Sequence, residues 1–282
     1  MSELPKRVLF ALVGAPLTIA LIYFGGWILA TALGAIAAIG AWELYRMARE
    51  AGYEPMENAG IVLAAIVPLM VHATYLGVFR VTITVAALLF LALTAGVIWA
   101  RGTQRKPLVS LAITVVGVIY PALVTYMYPI RYHDYAIDAR AGTFLLMLPI
   151  ALTWATDTGA YFVGRSMGRH KLIPSVSPAK TIEGAVGGVA IAILAAWLYV
   201  IFLLRPFAHL SMLPVGLTVF AIIVSCTGQI GDLAESLFKR EAGVKDSSHL
   251  IPGHGGVLDR LDSLYFVVPV AAAMYRLFGI IR

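Results

Sequence analysis

The chain is poor in charge. Asp, Glu, Lys and Arg make up 13% of its 282 residues while 60% are hydrophobic, and a soluble domain carries roughly 25% charged residues. That shortage, with a mean hydropathy of +0.87, excludes an ordinary soluble fold and requires an integral membrane protein. No polar stretch is long enough for a separate soluble domain, so residues 1–282 read as one membrane domain. The single cysteine, Cys226, has no partner in the chain, which excludes an intramolecular disulfide. Set in an apolar run, it reads as a packing residue. Internal repeats, heptad stripes and low-complexity segments are also missing. The net charge of +6 forms no stripe along a soluble face. Its basic residues sit in short loops beside apolar spans, which points to anionic headgroups and an anionic substrate and away from nucleic acid.

What is abundant is continuous apolar sequence. About 20 such residues cross roughly 30 Å of hydrocarbon, and nine segments qualify: 8–24, 27–47, 59–76, 81–100, 108–128, 143–163, 182–204, 212–231 and 263–281. Unbroken apolarity, in place of alternation, indicates helices and not a barrel. The expected fold is an all-α polytopic bundle of about nine transmembrane helices. Lys6-Arg7 ahead of the first segment imitates a secretory leader. The many later spans, and the lack of a small-x-small site before Gly25-Gly26, make it an uncleaved first helix. Assigning successive loops to alternate sides puts 15 of the 21 Lys and Arg on one side. The positive-inside rule makes that side cytoplasmic, with the N-terminus inside and the C-terminus outside. Tyr23, Trp27, Tyr45, Trp99, Tyr126, Tyr128, Trp154 and Tyr275 fall near span ends, where interfacial aromatics concentrate. The outward stretch 129–142 reads as a solvated connector.

Two polar blocks on the cytoplasmic side hold the candidate chemistry. The longer, 236–262, reads SLFKREAGVKDSSHLIPGHGGVLDRLD. It combines Lys239, Arg240, Lys245 and Arg260 with Asp246, Asp259 and Asp262 and a His254-Gly255-Gly256 turn. Cations offset phosphate charge, glycines let backbone N–H groups approach an anion, and carboxylates offer hard oxygens to Mg²⁺. The mixture suits a polyphosphate held with a metal. Asp232, Glu235 and Ser236 share one helical face. Charged groups at membrane depth are costly and normally face a cavity; for Glu235 the alternative is a hydrated place at the interface. Asp259 and Asp262 also share a face, although Asp262 is equally suited to be a helix-start charge. The shorter block, 164–184, reads GRSMGRHKLIPSVSPAKTIEG. Lys180 with Ser177 and Thr181 ahead of a helix start makes an anion site, and a Thr181 cap on that helix would account for the same residues. Asp157, in the sixth span, requires a polar cavity around 157–164. Glu43 and His72 each stand alone in or beside an apolar segment and read as structural.

Together these blocks resemble the bacterial type of the phosphatidate cytidylyltransferase family, the CDP-diacylglycerol synthases. The family's Ser, Lys-Arg, Lys-Asp, His-Gly-Gly and Asp-Arg-x-Asp elements are all present between Ser236 and Asp262. Ser177, Pro178, Lys180, Thr181, Glu183 and Gly184 match its S-P-x-K-T-x-E-G run. The resemblance implies transfer of the cytidylyl group of CTP to phosphatidate, giving CDP-diacylglycerol and pyrophosphate. It implies Mg²⁺ on Asp232 and Asp259, with Asp262 a third metal candidate and a second cation left open. Lys239, Arg240, His254 and Arg260 join the two aspartates as catalytic candidates. Ser177, Lys180, Thr181, Glu183, Ser236, Lys245, Asp246, Gly255 and Gly256 are expected around the substrates. Phosphatidate is expected from the inner leaflet, the location in the inner membrane, and the assembly a homodimer. Because the acceptor is already an anionic nucleophile, the burden lies in aligning two anions and stabilising the developing pyrophosphate. The alternatives are a CTP-using transferase or kinase with a polyprenyl or isoprenoid acceptor and, from another class, an ion-coupled transporter. A transporter predicts midspan carboxylates in two similar halves, whereas these acidic residues cluster at one interface. The paired DG-x-x-AR and G-x-x-x-D motif of CDP-alcohol phosphotransferases is absent.

Overall fold

The structure, a computed structural model, describes residues 3–78, 80–103, 106–134, 138–251, 255–277 and 281, the side chains of 3–11 and 13 excepted. Nine long helices lie among them: α1 (Glu3–Phe24), α2 (Gly26–Glu50), α3 (Glu57–Tyr75), α4 (Ile83–Arg101), α5 (Pro107–Ala122), α7 (Ala139–Met167), α8 (Ile182–Tyr199), α10 (Pro214–Glu241) and α11 (Val257–Leu277). Short helices α6 (Met127–Arg131) and α9 (Arg205–Ala208), a 3₁₀ turn and a π turn fill the connections. Each long helix overlies one of the nine apolar segments. Among the described residues seven helices are long and apolar enough to cross a membrane, and the chain is an all-α polytopic membrane protein. Helices outlast apolarity where good helix formers continue the chain: α10 runs on through ESLFKRE to Glu241. α11 likewise starts inside the 236–262 block, at Val257.

The chain divides into two compact units, Met1–Gly14, Gly25–Thr125 and Phe238–Arg260 forming the first, Ala15–Phe24, Tyr126–Leu237 and Leu261–Arg282 the second. In the first, α2 packs on α3 and α5, and α4 on α5. Tyr45 is the centre of this packing. Its ring fits between Gly60 and Gly117, where any β-carbon would overlap it, and its hydroxyl donates to the Thr114 carbonyl at 2.7 Å. Small residues let membrane helices approach closely when lipid gives no hydrophobic drive. His72 is buried edge-on against Trp27, ring centroids 4.4 Å apart.

In the second unit α7 packs along α8. The contact is again built from small residues: Gly184 faces the Ala160 carbonyl, Gly188 the Thr156 carbonyl and Gly159 the Ile191 side chain. Between Met167 and α8 the chain forms a hairpin of β1 (Lys171–Ile173) and β2 (Ser177–Thr181), antiparallel with Lys171 opposite Thr181. Arg131 corrects the solvated reading of 129–142. It is buried, and its guanidinium donates to the carbonyls of Ile22 (2.8 Å) and Tyr23 (3.0 Å), satisfying the end of α1. Asp138 caps α7 by accepting the Ala141 N–H; residues 135–137 lie outside the described residues.

Three of the aromatics expected at the interface, Tyr45, Tyr128 and Tyr275, are buried instead. For Tyr45 and Tyr275 a backbone carbonyl inside the protein satisfies the phenol; Tyr275 donates to Leu145 at 3.1 Å. Trp27, Trp99, Tyr126 and Trp154 are exposed. Cys226, expected to pack, is a free and exposed thiol.

Candidate active site

In the second unit the hairpin and the start of α8 set the site. Thr181 Oγ1 accepts the Gly184 N–H at 3.1 Å, so the hydroxyl caps α8. Glu183 reaches back to accept the N–H groups of Arg169 (3.1 Å) and His170 (3.2 Å) and pairs with His170 Nδ1 at 2.6 Å. Its carboxylate is thereby occupied in pinning the segment after α7 to the start of α8. So anchored, β2 directs Lys180 at α10, where its Nζ meets Asp232 Oδ2 at 2.5 Å. The other Asp232 oxygen lies 3.4 Å from Ser236 Oγ, one turn on.

Around this pair lies a cavity of about 440 Å³ whose polar lining comes from Asp157, Tyr161, Arg165, Lys180, Thr181, Gln229 and Asp232. Its volume falls in the range of small-molecule sites, about 300–1,000 Å³. Asp157 is exposed at this cavity, and the polar cavity expected around 157–164 is present. Ser177 is half-buried in β2 and does not line the cavity. Glu235 has no exposed surface, which removes the hydrated-interface reading, and it too lies outside the lining. Asp262 accepts the N–H of its neighbour Ser263 at 2.6 Å; α11 begins at Val257, so Asp262 lies beyond its first turn and is not a helix-start charge.

In the first unit the last turn of α10 brings Lys239 to Asp259, in the first turn of α11. Nζ and Oδ1 are 2.7 Å apart, with the side chains 13% and 5% exposed. The second oxygen, Oδ2, accepts the N–H groups of Ser247 and Gly256 at 2.8 Å each, and Ser247 Oγ is also 2.8 Å away. Reaching back to the residue before the helix makes Asp259 the third-position half of a capping box. Gly256 therefore gives its N–H to Asp259. Gly255 has φ +78, a left-handed conformation that favours glycine. Arg240, Lys245 and Arg260 are exposed and Asp246 half-buried. His254 lies outside the described residues.

A profile of the cytidylyltransferase family matches residues 5–278. The chain belongs to that family. It is 36% identical to the phosphatidate cytidylyltransferase of Haemophilus influenzae over 96% of its own length and 98% of the relative's. Against the phosphatidate cytidylyltransferase of Bacillus subtilis the identity is 30%, over 99% of this chain and the whole of that one. The phosphatidate cytidylyltransferase of a Synechocystis strain is also 30% identical, over 94% of both.

For this member of the cytidylyltransferase family, metal fit rests on the donor chemistry. No three His, Cys, Asp or Glu side chains cluster among the described residues, so they form no dedicated cage. Mg²⁺ needs only one or two carboxylates, with water and phosphate oxygens completing its octahedron. Asp232 and Asp259 fit that mode: in each unit a carboxylate oxygen already faces a cation, the ammonium of Lys180 or Lys239.

Glu43, read from the sequence as structural, has partners that the sequence did not indicate. Glu43 of α2 is fully buried and collects donors from Ser247, Ser248, Val257 and Leu258. The available signal was its isolation, because a lone acid in an apolar helix needs partners.

Proposed function

We propose that this chain transfers the cytidylyl group of CTP to phosphatidate, forming CDP-diacylglycerol and pyrophosphate. The observation that carries the reading is the Lys180–Asp232 pair facing a cavity, in a chain aligned end to end with proteins named phosphatidate cytidylyltransferase. In the proposed step a phosphate oxygen of phosphatidate attacks the α-phosphorus of CTP. The bond from that phosphorus to the β-phosphate oxygen breaks, and pyrophosphate leaves. A phosphate monoester is already ionised near neutral pH, its second pKa being about 6, so no strong base is needed. The Lys180 and Arg165 side chains at the cavity offset the charge of the two anions.

Asp232 in the second unit and Asp259 in the first are each proposed as Mg²⁺ ligands, with Asp262 a further candidate. Mg²⁺, when bound, would neutralise triphosphate and pyrophosphate charge. The exposed Arg240, Lys245 and Arg260 suit attraction of anionic lipid. Phosphatidate would arrive from the inner leaflet, because removing acyl chains from hydrocarbon costs about 0.8 kcal/mol per CH₂. The proposal includes the bacterial inner membrane, with the N-terminus and both polar blocks cytoplasmic and the C-terminus outside, following the distribution of Lys and Arg. It also includes a homodimer, following the family resemblance.

The test is incubation of the purified chain with cytidine-labelled CTP, Mg²⁺ and either phosphatidate or a polyprenyl phosphate. Label in a lipid product with phosphatidate is expected. Label only with the polyprenyl phosphate, or none with any divalent metal, would contradict the reading.

A further inference from the structure

Four donors converge on the buried Glu43 carboxylate. Ser248 Oγ (2.5 Å) and the Val257 N–H (2.9 Å) reach Oε1. The Leu258 N–H (2.7 Å) and Ser247 Oγ (3.1 Å) reach Oε2. Val257 and Leu258 open α11, and the first N–H groups of a helix have no acceptor within it. A capping oxygen normally comes from the residue just before the helix. That residue is Gly256, which has no side chain. Glu43 supplies the missing acceptor from α2, and the positive end of the helix dipole favours a carboxylate there. The arrangement also accounts for glycine at 256, since a β-carbon would overlap Glu43 Oε1 and Ser247 Oγ.

Ser247, one of the residues that grip Glu43, also grips Asp259. Ser247 places its hydroxyl between the two carboxylates and donates its N–H to Asp259 Oδ2, and Gly256 donates to the same oxygen. Ser247 is thus tied to both carboxylates, Ser248 to Glu43 and Gly256 to Asp259. The remaining Asp259 oxygen, Oδ1, is left facing Lys239.

We propose that Glu43 is a positioning residue for the transfer reaction: it caps α11 and clamps Ser247 and Ser248, and so sets the orientation in which Asp259 is presented. The inference rests on the cytidylyl-transfer reading. A residue that merely fills the core would change the fraction of folded protein. A positioning residue changes turnover in the molecules that fold.

The experiment compares the full-length wild-type chain with Glu43→Gln and Ser248→Ala in detergent, measuring thermal unfolding, kcat, KM for CTP and the Mg²⁺ concentration giving half-maximal activity. For Glu43→Gln, kcat per folded molecule is expected to fall about 10-fold or more, as misplacement of a reacting constellation does. KM for CTP is expected to stay within about twofold, and the Mg²⁺ requirement to rise. Ser248→Ala removes one donor to Glu43 together with the oxygen that accepts the Leu250 N–H; it is expected to shift kcat and Mg²⁺ requirement in the same direction by less. It keeps the proposal testable should Glu43→Gln not fold. Wild-type turnover and Mg²⁺ dependence in either folded variant would overturn the proposal, as would losses that follow the folded fraction alone. Absence of transfer by the wild-type chain would instead remove the functional reading on which the proposal stands.

Discussion

Lys180 Nζ lies 2.5 Å from Asp232 Oδ2 in a pair whose side chains remain 27% and 32% exposed. Ion pairs that open to solvent contribute about 0–1 kcal/mol to stability, so stability gives little reason for holding these two charges at a cavity wall. The substitution Asp232→Asn is accordingly expected to leave thermal unfolding nearly unchanged and to lower CDP-diacylglycerol formation on the order of 100-fold, as loss of a preorganised electrostatic group does. Unfolding scans and initial rates on one preparation check both halves.

The Lys239–Asp259 pair differs because it is buried, at 13% and 5% side-chain exposure. Removing one partner of a buried pair leaves an uncompensated charge and costs about 3–5 kcal/mol, whereas replacing both by apolar residues is often near neutral. Asp259→Asn should therefore be destabilised and inactive. The double replacement Lys239→Met with Asp259→Asn, which removes both charges and keeps an oxygen for the Ser247 and Gly256 N–H groups, should recover part of the stability and none of the activity. Chemical or thermal unfolding of both variants, beside the transfer assay, separates the two contributions. Near wild-type transfer by Asp259→Asn with unaltered Mg²⁺ dependence would refute its assigned role.

Gly256→Ala introduces a β-carbon into space held by Ser247 Oγ and the Glu43 carboxylate. Overpacking of this kind costs about 1–3 kcal/mol, and the strain falls on the loop that presents Asp259. The expected result is a lowered melting temperature together with reduced kcat. An alanine variant indistinguishable from wild type in both would mean that the loop relaxes freely.

Thr181 offers a test of capping against substrate contact, because its hydroxyl accepts the Gly184 N–H while the residue also lines the cavity. Thr181→Val should lose about 1 kcal/mol of stability through the missing cap, and Thr181→Ser should restore it. If capping is its whole contribution, KM for CTP is unchanged in both variants. A raised KM in Thr181→Val alone assigns the hydroxyl to substrate as well.

The nine long helices were legible because each is a long, unbroken apolar run, and lipid permits such a run little besides a helix. Asp232 was legible by the same physics, as an acid at the end of a span with Ser236 one turn away. What escaped depended on partners remote in sequence. Glu43 meets Ser247 across 204 positions, and no local pattern announces such a contact. Tyr45 looked interfacial because its environment was judged from neighbours in the chain; the glycines that bury it, Gly60 and Gly117, lie on two other helices. Arg131 looked solvated for a similar reason, since its acceptors are carbonyls near the end of α1. The β1–β2 hairpin was missed because strands of three and five residues with a proline in one carry almost no periodic signal. The glycines beside His254 were read as openings for an anion, whereas the Gly256 N–H belongs to Asp259.

The most direct test of the central claim follows the phosphates of CTP. Purified chain is incubated with phosphatidate, Mg²⁺ and CTP labelled either at the α- or at the γ-phosphate, and the lipid and aqueous phases are counted separately. Cytidylyl transfer requires the α-label in the lipid phase and the γ-label in aqueous pyrophosphate. Lipid carrying the γ-label would identify a kinase, and lipid carrying neither would contradict the assigned reaction.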